Sequence, residues 1–273
     1  MKRILFLIIL FTFINNFCTA QDDPYLQKVN NLIDYQIKLK EIHPALKNLY
    51  PVAVYKDSVF NIYEIDSSKN MYALVKKIPS TRYIIKGIRA AFPLEENNYT
   101  TTCVVTEDAF NSDRDYSVIF HEFVHCYQAD TYEFEIKSGL AVYLSEIENN
   151  NYMWELNYPF PYDDEEINNL YALFIKSIEN ENLSEAERHH DLLKEKLSAS
   201  DYQYLCWVEW KEGSARWIEN LIRNEFNVDN NIAGKKGKFS RVSFYYGGSN
   251  YIKLLNEKYH TADLKELFDL IYN

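Results

Sequence analysis

His121-Glu122-Phe123-Val124-His125 is the stretch from which the rest of this chain can be read. On an α-helix, positions i and i+4 share one face a turn apart. His121 and His125 can therefore aim two imidazole nitrogens at a single metal ion. Glu122, one step round from His121, stands beside that ion without ligating it, where a base that deprotonates a metal-activated water is required. The flanks favour the helix. Residues 115–128, DYSVIFHEFVHCYQ, hold no Gly or Pro, and Val118, Ile119, Phe120, Phe123, Val124 and Tyr127 run nearly all the way round a helical wheel. A helix apolar on most sides is a buried one, and a buried histidine pair needs hydrogen bonds or a metal to offset its desolvation. Ser112, followed three residues later by Asp115, reads as a capping box that opens the helix. The competing reading is a core helix whose histidines are satisfied by backbone carbonyls.

Upstream of Ser112 the pattern changes. Pro24 to Tyr50 has helical periodicity, interrupted at His43-Pro44. Short β-rich runs follow at Val52–Tyr55, Val59–Ile65, Tyr83–Ile88 and Tyr99–Thr106, separated by turn clusters. Downstream, helical stretches are expected near 115–129, 136–149, 165–180, 184–197 and 201–225. This order predicts an α+β fold: a β-rich N-terminal lobe with a leading helix (residues 21–110), a mainly helical catalytic lobe (111–273), and the metal helix between them.

The extreme N-terminus reads as a targeting segment. Lys2 and Arg3 precede an apolar run from Ile4 to Phe13, and Cys18-Thr19-Ala20 supplies a small-residue cleavage site. Residues 1–20 are thus expected to be a signal peptide, and the protein to be exported, either secreted or periplasmic. The apolar run is too short to span a bilayer, so no integral membrane segment is expected after its removal. A lipid anchor at Cys18 is the lesser reading, because Asn16 and Phe17 stand where small residues are wanted.

Composition narrows the partners. The net charge is −11, and loss of Lys2 and Arg3 with the leader makes it −13. Such acidity argues against nucleic acid or an anionic membrane as the main partner. Lys235-Lys236-Gly237-Lys238, with Arg241 nearby, reads as a solvated loop, and His189-His190, in a charged helix, as solvated too. Cys103, Cys126 and Cys206 remain after the leader, too few for a disulfide framework. Cys126 points about 100° away from His125 on the helix and reads as a core residue.

A zinc ion in a hydrolytic site takes three protein ligands and keeps one position for water. A third histidine six residues past His125 is excluded, since Thr131 stands there and Gln128 stands where that pattern has a glycine. A glutamate is next. Glu212 is followed by Gly213, Ser214 and Ala215, with Trp207, Trp210 and Trp217 as large neighbours. Small residues let two helices approach closely, as a carboxylate reaching an ion on another helix requires. Glu146 is the runner-up.

HEFVHCYQ together with WKEGSARWIE resembles the gluzincin metallopeptidases, the zincin-like HExxH group whose third zinc ligand is a glutamate on a later helix. The resemblance covers about Thr102 to Leu255 and rests on these two motifs. It implies one zinc per chain held by His121, His125 and Glu212, with Glu122 as general base and a peptide or protein as substrate. The departure is spacing: 86 residues separate His125 from Glu212, against about two dozen in better-known members. The resemblance also offers a downstream tyrosine as oxyanion donor. Residues 244–249 read as a glycine-flexed turn, within which Tyr245 to Gly248 fits that element, and Tyr246 is chemically equivalent. For the second nitrogen of a ligating histidine, Glu219 is a candidate carboxylate, as is Glu209. Thr102–Thr106 sits where zincins place a substrate-binding edge strand. The alternative function is a zincin-like binding protein that keeps the scaffold without catalysis.

Overall fold

Five short apolar-patterned runs between Val52 and Thr106 pair into one mixed sheet, and helices follow from Asp113 onward. The computed structural model describes residues 23–273, so the leader assigned to residues 1–20 lies outside the described residues. A helix, α1 (Leu26–Leu39), precedes strands β1 (Val52–Lys56), β2 (Val59–Asp66), β3 (Met71–Pro79), β4 (Arg89–Leu94) and β5 (Thr100–Thr106). Their order is β3-β2-β1-β5-β4, with β1 and β5 parallel and every other pair antiparallel. Asp57 and Ser58, both at positive φ, form the two-residue β1–β2 hairpin loop, the conformation that matches strand twist.

The sheet departs from the sequence expectation at three places. Tyr83–Ile88 is a loop, with Tyr83 and Ile85 exposed. Its apolar side chains suggested a strand, but β4 pairs with β5 instead, Arg89 opposite Val105 through Leu94 opposite Thr100. Met71–Pro79 and Arg89–Leu94 are strands that the sequence reading missed. Finally, β5 is not an edge strand: it lies between β1 and β4, and β4 forms that edge. Pro93 is tolerated in β4 because an edge strand can leave one side without N–H donors.

Strand alternation sorts the two faces. Val52, Val54, Tyr63, Tyr72, Cys103 and Val105 join the large core shared with the helices. Ala53, Phe60, Ile62, Leu94 and Val104 form a smaller cluster with Tyr55, Ile78, Ile84 and Phe92 packed against it.

The helices are α2 (Asp113–Thr131), α3 (Glu133–Ser138), α4 (Ala141–Glu148), α5 (Trp154–Asn157), α6 (Glu165–Glu179), α7 (Leu183–Lys196), α8 (Ala199–Glu225), α9 (Arg241–Tyr259) and α10 (Leu264–Tyr272). The stretch expected as one helix over 136–149 is broken at Leu140, whose backbone is extended. α2 starts as expected at Ser112, whose hydroxyl accepts from Asp115 N at 3.3 Å. The box is not reciprocal, because the Asp115 carboxylate takes the Ser112 hydroxyl proton instead, at 2.8 Å. Ile119, Phe120, Phe123, Val124 and Cys126 are fully buried, so α2 is surrounded as its wheel implied. It packs on β4 and β5 on one side and on α8 on another. Among the described residues, no helix is long and apolar enough to cross a membrane.

The α8–α9 contact decides how close the second motif comes to α2. A Cβ added to Gly213 would stand 2.7 Å from the carbonyl carbon of Gly248, and one on Gly248 would collide with the backbone of Glu209. The two glycines thus let helix backbones touch. Gly247 and Gly248 lie inside α9, so the expected turn at Tyr245–Gly248 is instead helix-packing surface.

Candidate metal centre

α2 and α8 bring His121, His125 and Glu212 together: one ligand atom from each lies within 4.8 Å of the others, an arrangement that could hold a metal ion. The Nε2 atoms of the two histidines are 3.2 Å apart, and Glu212 Oε2 stands 3.5 Å from His125 Nε2 and 3.8 Å from His121 Nε2. Glu146 is elsewhere, accepting from Asn151.

Proton accounting shows why these groups converge. His121 Nδ1 faces Glu219 Oε2 at 3.0 Å and donates to it. His125 Nδ1 faces Gln128 Oε1 at 2.8 Å. The Gln128 amide is oriented by its own nitrogen, which donates to the Lys211 carbonyl at 3.0 Å and to Ser214 Oγ at 2.8 Å. Its oxygen therefore faces His125, and His125 Nδ1 must carry the proton. With both Nδ1 protons committed, the two Nε2 lone pairs and the Glu212 carboxylate confront one another. Groups this close are satisfied by a positive charge between them, either a proton shared across the 3.2 Å Nε2–Nε2 contact or a metal ion that the group could hold.

The electrostatics agree. Burial disfavours a charged His121, yet hydrogen bonding to Glu212 and Glu219 outweighs it and pushes the imidazole up to about 10. Burial raises the Glu212 carboxyl, but His125, His121 and Arg241 outweigh that and hold it well below its usual range. Glu219 is likewise opposed by burial and held at about 2 by His121, Arg216 and Arg223. Glu212 and Glu219 together thus favour positive charge at the imidazoles.

Glu219, two turns past Glu212 on α8, anchors the base of the site. Besides His121 it accepts from Asn231 Nδ2 at 3.0 Å and forms an ion pair with Arg223 Nη2 at 2.7 Å. Arg216 Nε lies 3.3 Å away, an ion pair not aligned as a hydrogen bond. Glu209, the other candidate for this place, faces a different cluster. Glu122 is 7% exposed, and among the described residues its carboxylate makes no hydrogen bond or ion pair, leaving it uncommitted beside His121.

Tyr245 and Tyr246 are separated cleanly. Tyr245 is half-buried, and two guanidiniums lie over its ring, Arg241 at 5.1 Å and Arg216 at 5.6 Å from its centre. Arg241 also donates to the Tyr245 hydroxyl and, at 3.0 Å, to Glu212 Oε1. Tyr246 points elsewhere, donating to Glu179 at 3.0 Å. Arg241 is thus no part of a solvated loop: it begins α9 and reaches the metal-capable group. Sequence reading missed it because it follows a lysine-rich segment, and the one available signal was its place a helical turn before Tyr245.

His189 and His190 are buried, contrary to the solvated reading. His189 bonds Ser177 and Arg188. His190 pairs with Glu209 at 2.8 Å and lines a cavity of about 670 Å³ between α7, α9 and α10 that contains none of the metal-capable residues. Cys103, Cys126 and Cys206 are free and buried.

No protein-family model matches this chain, and comparisons with curated proteins and with solved structures found no match.

Proposed function

We propose that this chain is an exported, zinc-dependent metallopeptidase of the gluzincin type, with a zincin-like fold, that hydrolyses peptide bonds in a peptide or protein substrate. One observation carries the reading: two buried imidazole nitrogens and the half-buried Glu212 carboxylate converge after the second nitrogen of each histidine has been committed to its own partner. Two imidazoles and a carboxylate suit zinc, a borderline-soft ion that leaves a fourth position open in hydrolytic sites. When bound, the ion supplies Lewis acidity that brings the pKa of water down to about 7.

The chain's own groups supply the rest. Glu122, uncommitted and next to His121, takes the proton of the attacking water and delivers it to the leaving amine. Tyr245 donates to the carbonyl oxygen as negative charge develops there. Glu219 and Gln128 hold the imidazoles in one tautomer. The free edge of β4 offers backbone groups for an extended peptide to pair with. Glu122 also favours an enzyme over a binding protein on the same scaffold, because a pure binder has no need of a base at that position.

Glu122→Gln tests this directly. Hydrolysis of a casein or mixed-peptide substrate by the zinc-loaded protein should fall at least a hundredfold, within the range a general base contributes, while zinc content stays at one per chain. Undiminished hydrolysis in that variant would remove the proposed mechanism.

A further inference from the structure

Arg241 uses all three guanidinium nitrogens inward. Nε donates to the Glu155 carbonyl of α5 at 2.8 Å, Nη2 to Glu212 Oε1 at 3.0 Å, and Nη1 to the Tyr245 hydroxyl. Two consequences follow from this fork. The Glu212 oxygens are divided, Oε1 toward Arg241 and Oε2 toward the two imidazoles. The Tyr245 oxygen is an acceptor from a group that has no lone pair to offer in return. Its own proton must therefore point away from Arg241, and no described residue accepts it. A phenol with an uncommitted proton then stands beside the metal-capable group.

We infer that Arg241 is a positioning residue that sets both partners at once: it turns Glu212 so that one oxygen faces the imidazoles, and it turns the Tyr245 hydroxyl outward so that it donates to an oxyanion. The inference rests on the proposed reading of the site and deepens it. A lysine cannot replace the arginine, because a single ammonium lacks the planar fork that spans two acceptors. The Glu155 carbonyl is the anchor, so α5 fixes the angle of the fork.

The test needs no turnover. Cobalt-substituted protein is titrated with acetohydroxamate, whose two oxygens present an oxyanion to the site, in the parent, Arg241→Leu, Arg241→Lys, Tyr245→Phe and the Arg241→Leu/Tyr245→Phe double variant. Metal affinity is measured in parallel. Arg241→Leu should lower metal affinity about tenfold, as loss of a group that orients a ligand does, whereas Tyr245→Phe should leave it unchanged. Each single variant should weaken acetohydroxamate about tenfold, and the double variant should be no weaker than Arg241→Leu alone, the signature of two residues acting as a unit. Arg241→Lys keeps the charge and serves if the leucine variant fails to fold; it should recover metal affinity but not hydroxamate affinity. Additive losses in the double variant, or full recovery by lysine, would overturn the inference and leave the peptidase reading standing. The expected pattern in a protein that hydrolyses nothing would do the reverse.

Discussion

α8 carries two buried histidine–carboxylate clusters built from the same parts, and they differ in where the protons go. At Glu209, His190 Nε2 donates to one carboxylate oxygen at 2.8 Å, and the Tyr171 hydroxyl donates to the other at 2.8 Å. The Tyr202 hydroxyl lies 3.2 Å from His190 Nδ1 and completes the set. Every donor has an acceptor, and the cluster is closed. At Glu212 the protons of His121 and His125 are drawn away to Glu219 and Gln128, leaving acceptors face to face. Residue types do not separate a closed core cluster from a metal-capable one here. The proton count does.

The largest expected contrast is in metal uptake. His121→Ala should abolish zinc binding as read by metal analysis after dialysis, whereas His190→Ala should keep one zinc per chain. Loss of zinc in both would erase the distinction between the clusters. Stability should move the other way. His190→Ala leaves a fully buried Glu209 with Tyr171 as its remaining donor and is expected to cost about 3–5 kcal/mol in urea denaturation, as breaking a buried pair does. In metal-free protein His121→Ala should cost less, because Glu219 keeps Arg216, Arg223 and Asn231. Equal costs would contradict the account of how each cluster is satisfied.

His43, buried outside both clusters, sharpens the comparison. It donates to the Ala262 carbonyl and accepts from Ala45 N, and burial lowers it to about 4 even though Ala262 and Asp263 oppose the shift. The unfolded chain takes up a proton near pH 6.5 that the folded chain refuses. Stability from this group is therefore complete above pH 6.5 and lost as pH falls toward 4, by on the order of 3 kcal/mol. His43→Asn should flatten the fall between pH 6.5 and 4.5 in urea titrations, and an unchanged slope would assign the fall to other groups. The smallest effect is expected at Gln128. Gln128→Met leaves the His125 Nδ1 proton without its acceptor and should weaken zinc by about 10–100-fold. No weakening would mean that the tautomer is set by something else.

Much of this was readable in the chain because it depends on local spacing. His121 and His125 need only one helix, and that helix declares itself by an unbroken apolar wheel and a serine cap. Glu212 was readable because Gly213, Ser214 and Ala215 mark a close helix contact, although the partner glycine, Gly248, was misread as a turn. Glu219 was a candidate from lying two turns beyond Glu212, but nothing local chose it over Glu209, since both face nearly the same way on the helix. What failed depends on residues distant in sequence. The segment LSEAERHHDLLKEK is charged enough to pass for a solvated helix, but Phe174 and Tyr251 pack against His190 and bury it. β4, with Arg89, two alanines and Pro93, has little strand character of its own and becomes a strand by pairing with β5. Arg241 had one local signal, its place a helical turn before Tyr245, while its other two partners, Glu155 and Glu212, lie on other helices.

The central claim is tested most directly by titrating metal-free protein with zinc by calorimetry, in the parent chain and in Glu212→Ala. The account predicts one tight site per chain in the parent, with tight binding lost in the variant. A parent chain that takes up no zinc, or a Glu212→Ala variant that binds it as tightly as the parent, would contradict it.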